Sequence, residues 1–187
     1  MKNLIGNTWK SSQTSDYVEV RNPYNNMILD TVPNSNYDDI NEAVKLANKA
    51  KKYWFGLSIN ERSELLLKFS ELVKKERFEL AKLLTSETGK NIHESEEEID
   101  ILISLISAFV EKARHMYGDV IPAGLDNEND NTIQITSREP IGVIAAMLPF
   151  NFPVVSFAHK VPAALIMGNT VIVKPSAYSP ATSSVIE

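Results

Sequence analysis

The sequence predicts an α/β protein in which an N-terminal hairpin and a helical layer lead into the first βαβ of an incomplete parallel sheet. Three observations predict it. Between residues 36 and 117, apolar residues recur at helical spacing. Two short, uninterrupted apolar runs at residues 142–148 and 170–173 have the texture of parallel strands buried on both faces. The mostly apolar stretch between them, residues 154–167, is of helix length and is ended by Gly168-Asn169, which makes a strand–helix–strand unit with a right-handed crossover.

Each element has its own signal. In residues 17–33, Val18 and Val20 alternate with polar neighbours, Asn22-Pro23-Tyr24-Asn25-Asn26 supplies turn residues, and Met27-Ile28-Leu29 resumes an apolar run, giving a β-hairpin. A hairpin alone is marginal, so it should rest on something larger. Asn36 followed by Asp39 marks a helix start, after which Ile40, Ala43, Val44, Ala47, Ala50 and Trp54 share one face. Ser58-Ile59-Asn60-Glu61 has capping-box spacing and opens a second helix with Leu65, Leu66, Phe69, Leu72 and Val73 as its buried stripe. A third helix carries Phe78, Leu80, Ala81, Leu83 and Leu84 and should end in a left-handed cap at Gly89. A fourth runs from about residue 92 to 117, with Gly118 to close it. The acidic run Glu94, Glu96, Glu97 and Glu98 reads as its solvated, dipole-compatible first turns. Residues 123–131 read as an exposed polar loop, and residues 132–136 alternate as a strand does. A last helix begins near Ser179-Pro180.

Composition excludes several classes. With 187 residues, 43% hydrophobic and 23% charged, the chain reads as globular rather than disordered. The 19 basic and 24 acidic residues give a net charge of −5 with no basic cluster, which argues against a nucleic-acid partner. Cysteine is absent, which removes disulfides, cysteine-based metal sites and any cysteine nucleophile. The polar start Met1-Lys2-Asn3 is unlike a signal peptide. The longest apolar stretch, residues 99–110, is broken by Asp100, Ser104 and Ser107 and is too short for a bilayer. A cytoplasmic location without a membrane partner is the expectation. His93, His115 and His159 have no metal-ligand spacing, Gly89-Lys90 has no Walker-type glycine before it, and no Gly-x-Gly-x-x-Gly follows a strand.

In open α/β sheets ligands bind beyond the carboxyl ends of the strands. Those ends are Pro149-Phe150-Asn151-Phe152-Pro153 and Lys174-Pro175-Ser176-Ala177-Tyr178. Two prolines bracketing Asn151 favour a rigid loop, the arrangement that preorganises an oxyanion donor; the alternative is that Asn151 caps the following helix. Lys174 is either a snorkelling surface lysine or a donor to a sugar or phosphate.

Glu139-Pro140-Ile141-Gly142-Val143, Pro149-Phe150-Asn151-Phe152-Pro153 and Gly168-Asn169-Thr170-Val171-Ile172-Val173-Lys174-Pro175-Ser176 together resemble the NAD(P)-dependent aldehyde dehydrogenase superfamily. Gly6 with Trp9, Asn22-Pro23, Glu87-Thr88-Gly89-Lys90 and Tyr117-Gly118-Asp119-Val120-Ile121-Pro122 match in order, so the resemblance covers the whole chain, with a lactaldehyde or semialdehyde dehydrogenase flavour. It implies a Rossmann-like sheet. Residues 1–131 would be the hairpin and helical layer of the cofactor-binding domain, 132–141 an oligomerisation-arm-like strand and 142–187 the first βαβ, with the catalytic domain absent.

The resemblance also implies roles. The family's asparagine, here Asn151, donates its amide to the oxyanion formed when a cysteine attacks the aldehyde. Leu148, Pro149, Phe150 and Asn151 contact the nicotinamide side of the cofactor, and Lys174, Ser176 and Ala177 its adenosine ribose. Phe152, Val155, Ser156 and His159 line the aldehyde tunnel, where histidine suits a small hydroxylated aldehyde such as lactaldehyde; the alternative for His159 is an ordinary helix-surface residue. Ala177 stands where NAD-preferring members often carry a glutamate, so Lys174, Ser176 and Ser179 are expected to tolerate the 2′-phosphate of NADP. The family's nucleophilic cysteine and water-activating glutamate lie beyond this chain, which is expected to be an inactive N-terminal fragment; a non-catalytic dinucleotide-binding or subunit-complementing module is the alternative. The open edge of the strand at residues 170–173 predicts self-association.

Overall fold

Local rules set the helix starts in the computed structural model, which describes residues 1–124 and 132–186. Helix α1 (Tyr37–Gly56) begins at Asn36, whose side chain accepts from the Asp38 and Asp39 amides while Asp39 returns a bond to the Asn36 amide. Helix α2 (Ile59–Lys75) repeats this capping box with Ser58 and Glu61. Helix α3 (Arg77–Thr88) ends at Gly89, left-handed at φ 75°, as glycine permits. Helix α4 (Ile92–Ala113) starts from an Asn91 cap and stops at Arg114. It is therefore shorter than the sequence suggests, and Gly118 is not its cap. Gly118 instead lies against the backbone of Thr136, where a Cβ would stand 1.7 Å from the carbonyl oxygen.

Strands β1 (Asn3–Ile5) and β2 (Thr8–Lys10) form a hairpin through left-handed Gly6 and Asn7 that periodicity did not reveal, because each strand is only three residues long. Strands β3 (Tyr17–Arg21) and β4 (Ile28–Pro33) form the expected hairpin, with a bulge between Val20 and Arg21. Strand β5 (Val120–Ile121) pairs antiparallel with β6 (Gln134–Ile135), so the strand expected at 132–136 is shorter and belongs to a two-stranded ribbon. Of the loop expected at 123–131, residues 125–131 lie outside the described residues. Strand β7 (Val143–Met147), helix α5 (Pro153–Ile166) and strand β8 (Thr170–Lys174) make the expected parallel unit, with Val143 opposite Thr170 and Met147 opposite Lys174. Helix α6 (Pro180–Ile186) follows.

The core lies where α2, α3, α4 and α5 meet: Leu66, Val73, Leu84, Ile99, Leu102, Ile106, Val154 and Phe157 are all buried. Several expected stripe residues fall outside it. Leu65, Leu72 and Phe78 are about half exposed, and the true α2 stripe is Arg62, Leu66, Ser70 and Val73. On α1, Ile40, Val44 and Ala50 are exposed, and the covered line runs through Ala43, Leu46, Ala47 and Trp54, because this helix packs mainly on the narrow β7–β8 pair. For the same reason β7 is not buried on both faces: Ala145 and Met147 are exposed. Each of β7 and β8 has one hydrogen-bonded neighbour among the described residues. No described helix is long and apolar enough to cross a membrane.

Candidate functional site

The two strand-end loops meet as the sequence requires. Leu148 donates its backbone N–H to the Lys174 carbonyl at 3.0 Å, and the Phe150 and Tyr178 rings stack edge to face at 5.7 Å. Pro149, Phe150 and Asn151 are exposed at the mouth this contact forms, whereas Leu148 is buried and its side chain joins the core. Asn151 does not cap α5. Its side-chain amide has no hydrogen-bond partner among the described residues, and the Ncap position is Phe152, which offers no side-chain acceptor.

The cap comes from elsewhere. Glu98 accepts from the Val154 and Val155 amides at 3.2 Å each, is 2% exposed, and is paired with Lys90. The acidic run is thus only partly solvated, because Glu98 and Ser95 turn inward. Lys90 Nζ also lies 3.7 Å above the Phe152 ring, a cation–π contact. A second glutamate closes the next helix. Glu87, buried, accepts from Ala181 N at 2.8 Å, Thr182 N at 2.9 Å and the Thr182 hydroxyl. Burial pushes its carboxyl above the usual range, and the bonds from Thr182 and Ala181 only partly offset this. The opposite end of α5 is held by Trp54 Nε1 on Leu165 O and Arg62 Nε on Ile166 O, both at 2.9 Å.

At the end of β8, Lys174 is exposed and its ammonium touches, among the described residues, the Pro175 carbonyl at 3.3 Å. Ser176 is half-buried and its hydroxyl accepts from Tyr178 N at 3.1 Å, while Ala177 is exposed. The Ser179 hydroxyl is buried and has no hydrogen-bond partner among the described residues. A cavity of about 320 Å³ opens beside Lys174, Ser176 and Ala177, closed on the other side by Ile5, Trp9, Val18 and Val32 of the two hairpins.

Phe152, Val155, Ser156 and His159 share one face of α5: Phe152 and His159 are exposed, Val155 and Ser156 half-buried. Lys160, which the sequence reading missed, donates to Met147 O at 2.5 Å and so sets an ammonium at the end of β7. Its signal was the seven-residue offset from Pro153, one turn pair into the helix, which brings it back over the preceding strand end.

The arrangement is therefore a carboxyl-end site with a free amide, two exposed ammonium groups and a mixed polar and apolar helix face. It has no vacant helix N-terminus for a pyrophosphate, since Glu98 and Glu87 fill both. The Aldehyde dehydrogenase family profile matches residues 9–187. Lactaldehyde dehydrogenase of Methanococcus aeolicus is 37% identical over 163 residues, 87% of this chain and 34% of that protein. The NADP(+) succinate-semialdehyde dehydrogenase GabD of Escherichia coli is 34% identical over 177 residues, covering 95% and 36%. Among solved structures, NADP-dependent glyceraldehyde-3-phosphate dehydrogenase from Bacillus halodurans, complexed with NADP, superposes with a TM-score of 0.92 at 26% identity, covering 97% of this chain and 38% of that one. The chain thus spans about a third of the length of the relatives it matches. On this match of sequence, fold and strand-end motifs, the chain belongs to the aldehyde dehydrogenase family.

Proposed function

We propose that this chain supplies the oxyanion-binding amide and the adenosine-side half of the cofactor site to an NAD(P)-dependent oxidation of a small aldehyde to a carboxylate. The observation that carries this reading is the free Asn151 amide at the end of β7, alongside the Lys174 ammonium at the end of the paired strand. An unpartnered amide on a proline-braced loop needs no reorganisation before it donates to a developing oxyanion, and one such donor is worth about 100- to 1,000-fold in rate. The thiolate that would generate that oxyanion is not in this chain, which has no cysteine, so the 187-residue chain is inactive alone.

Bound NAD or NADP would accept the hydride. Lys174 and Ser176 suit its ribose, and Pro149 and Phe150 its nicotinamide side. Ala177 presents no carboxylate, so NADP is tolerated, with Lys174 as the group that meets a 2′-phosphate. Phe152, Val155, Ser156 and His159 form one wall of the aldehyde path, and a hydroxylated aldehyde fits the pairing of Ser156 and His159 with two apolar neighbours. Residues 1–131 and 142–187 then belong to the cofactor-binding domain, and 132–141 to an oligomerisation arm.

The test is aldehyde-dependent NAD(P)H formation with and without a matching C-terminal segment. The expected result is no turnover alone, turnover on complementation, and a loss of about 100-fold or more in kcat for Asn151→Ala. Turnover by the isolated chain overturns the reading. So does a complemented Asn151→Ala enzyme at full rate. An NAD preference above about tenfold, or 1.4 kcal/mol, removes the NADP part. A second reading, a subunit-complementing module without cofactor affinity of its own, is favoured by the single-neighbour edges of β7 and β8. Cofactor binding to the isolated chain, measured by calorimetry, separates the two.

A further inference from the structure

We propose that Lys90 and Glu98 are positioning residues for the Asn151 amide, a claim that rests on the oxyanion reading of Asn151. Asn151 has no hydrogen bond of its own among the described residues, so its direction is set by how the chain is held on either side. On the N-terminal side, the Phe150 ring is held by Tyr178. On the C-terminal side the Phe152 carbonyl accepts from the Ser156 amide at 2.9 Å within the helix, and the two holds from outside the helix trace to one ion pair. Lys90 Nζ covers the Phe152 ring at 3.7 Å, and Glu98 takes the Val154 and Val155 amides at 3.2 Å. Pro153, between them, has no N–H to give and fixes its own φ. Both ends of the loop residue that follows Asn151 are thereby clamped from outside the βαβ unit.

The route is an unusual way to cap a helix. A serine or aspartate at position 152 would close α5 from within the loop. Phe152 instead places an aromatic ring on the substrate-facing side, and the acceptor is brought from α4, 56 residues away in sequence. A buried ion pair adds little net stability compared with apolar packing, because desolvating two charges costs about as much as their attraction returns. What such a pair does well is fix geometry. The Lys90 side chain is 14% exposed and that of Glu98 2%, so water does not loosen it. Glu87-Thr88-Gly89-Lys90 then has a physical account as a unit. Glu87 closes α6, left-handed Gly89 turns the chain, and Lys90 completes the clamp beneath the Asn151 loop.

The experiment uses the 187-residue chain and NMR, with Lys90→Met, Lys90→Arg, Glu98→Ala and Glu98→Gln. Arg77→Met, which breaks the Arg77–Asp100 pair between α3 and α4, serves as control. In Glu98→Ala, amide exchange at Val154 and Val155 should accelerate about tenfold, as loss of a cap implies. In both Glu98→Ala and Lys90→Met, the two Asn151 side-chain amide protons should move from their parent positions, because the neighbouring Phe152 ring loses its fixed placement. Lys90→Arg should restore them. Glu98→Gln keeps an acceptor for the helix but loses the charge, so the α5 amides stay protected while the Asn151 signals move; this variant decides the matter should Glu98→Ala not fold. Asn151 signals that stay put in folded Lys90→Met and Glu98→Gln, or that move equally in Arg77→Met, overturn the proposal. None of these readouts needs an aldehyde. Failure of the oxyanion reading would appear only in the complemented Asn151→Ala enzyme, and is thus distinguishable.

Discussion

Burial disfavours charge on a carboxylate even where the amides of a helix N-terminus favour it, and Glu87 shows the consequence. Burial raises its carboxyl pKa in the fold relative to the unfolded chain. Its protonated form is therefore favoured by folding, and that contribution is fully present below the ordinary glutamate range and lost as pH rises through the raised value. Glu87→Gln, which cannot ionise, should gain on the parent as pH rises from 4 to 7, and thermal melts of the two proteins at both pH values measure the crossover. If the difference between them stays flat, folding leaves the Glu87 carboxyl at its unfolded-state pKa. Gly118 is a second residue with a narrow allowance. Adding one methyl group places carbon 1.7 Å from the Thr136 carbonyl oxygen, so Gly118→Ala should abolish the β5–β6 pairing. The ribbon is peripheral, so the loss should appear as missing cross-strand contacts between Val120 and Ile135 in NMR spectra, with little change in melting temperature.

Among the elements, α5 stands out because both of its ends are finished by side chains from the helical layer. Arg62, buried and without a carboxylate partner among the described residues, donates to Ile166 O and to Leu57 O, joining the C-terminal ends of α1 and α5. Burial lowers its pKa, opposed in part by the charge of Glu61, and the carbonyl dipoles it gathers are what a helix C-terminus offers a cation. Arg62→Met should cost about 3 kcal/mol, since hydrogen bonds from a charged donor contribute more than neutral ones. For a chain of this size that corresponds to a drop of roughly 6–12 °C in melting temperature, readable by calorimetry. These are also the features the sequence hid. The Asn36–Asp39 and Ser58–Glu61 boxes and the Gly89 cap were legible because partner and target lie within four residues. Glu87 with Ala181, Glu98 with Val154 and Arg62 with Ile166 are separated by 94, 56 and 104 residues, and nothing in a local pattern couples them. The Asn151 and Lys174 loops were legible for a different reason: consecutive strands of a parallel unit bring their carboxyl ends together whatever lies between.

For the whole molecule, the parallel pair governs behaviour. Two strands with one hydrogen-bonded neighbour each among the described residues, exposed Ile141, Val120, Ile133 and Ile135, and an open cavity beside β8 leave apolar surface and unpaired backbone accessible. Such edges pair with other chains, and the 187-residue protein should self-associate. Light scattering across a dilution series checks this; a monomer at every soluble concentration would show the edges to be adequately protected. The imported helix ends carry a consequence for synthesis. The ribosome releases Arg62, Glu87 and Glu98 well before the backbone groups they terminate. When α5 emerges, the groups that will finish its two ends are already outside the tunnel, and it can dock without first settling as a bare, fraying segment. Reversing that order by circular permutation, with residues 142–187 translated first, would release a mostly apolar helix before any of its caps exist. The native order of translation is, in this respect, a form of protection against aggregation on the ribosome.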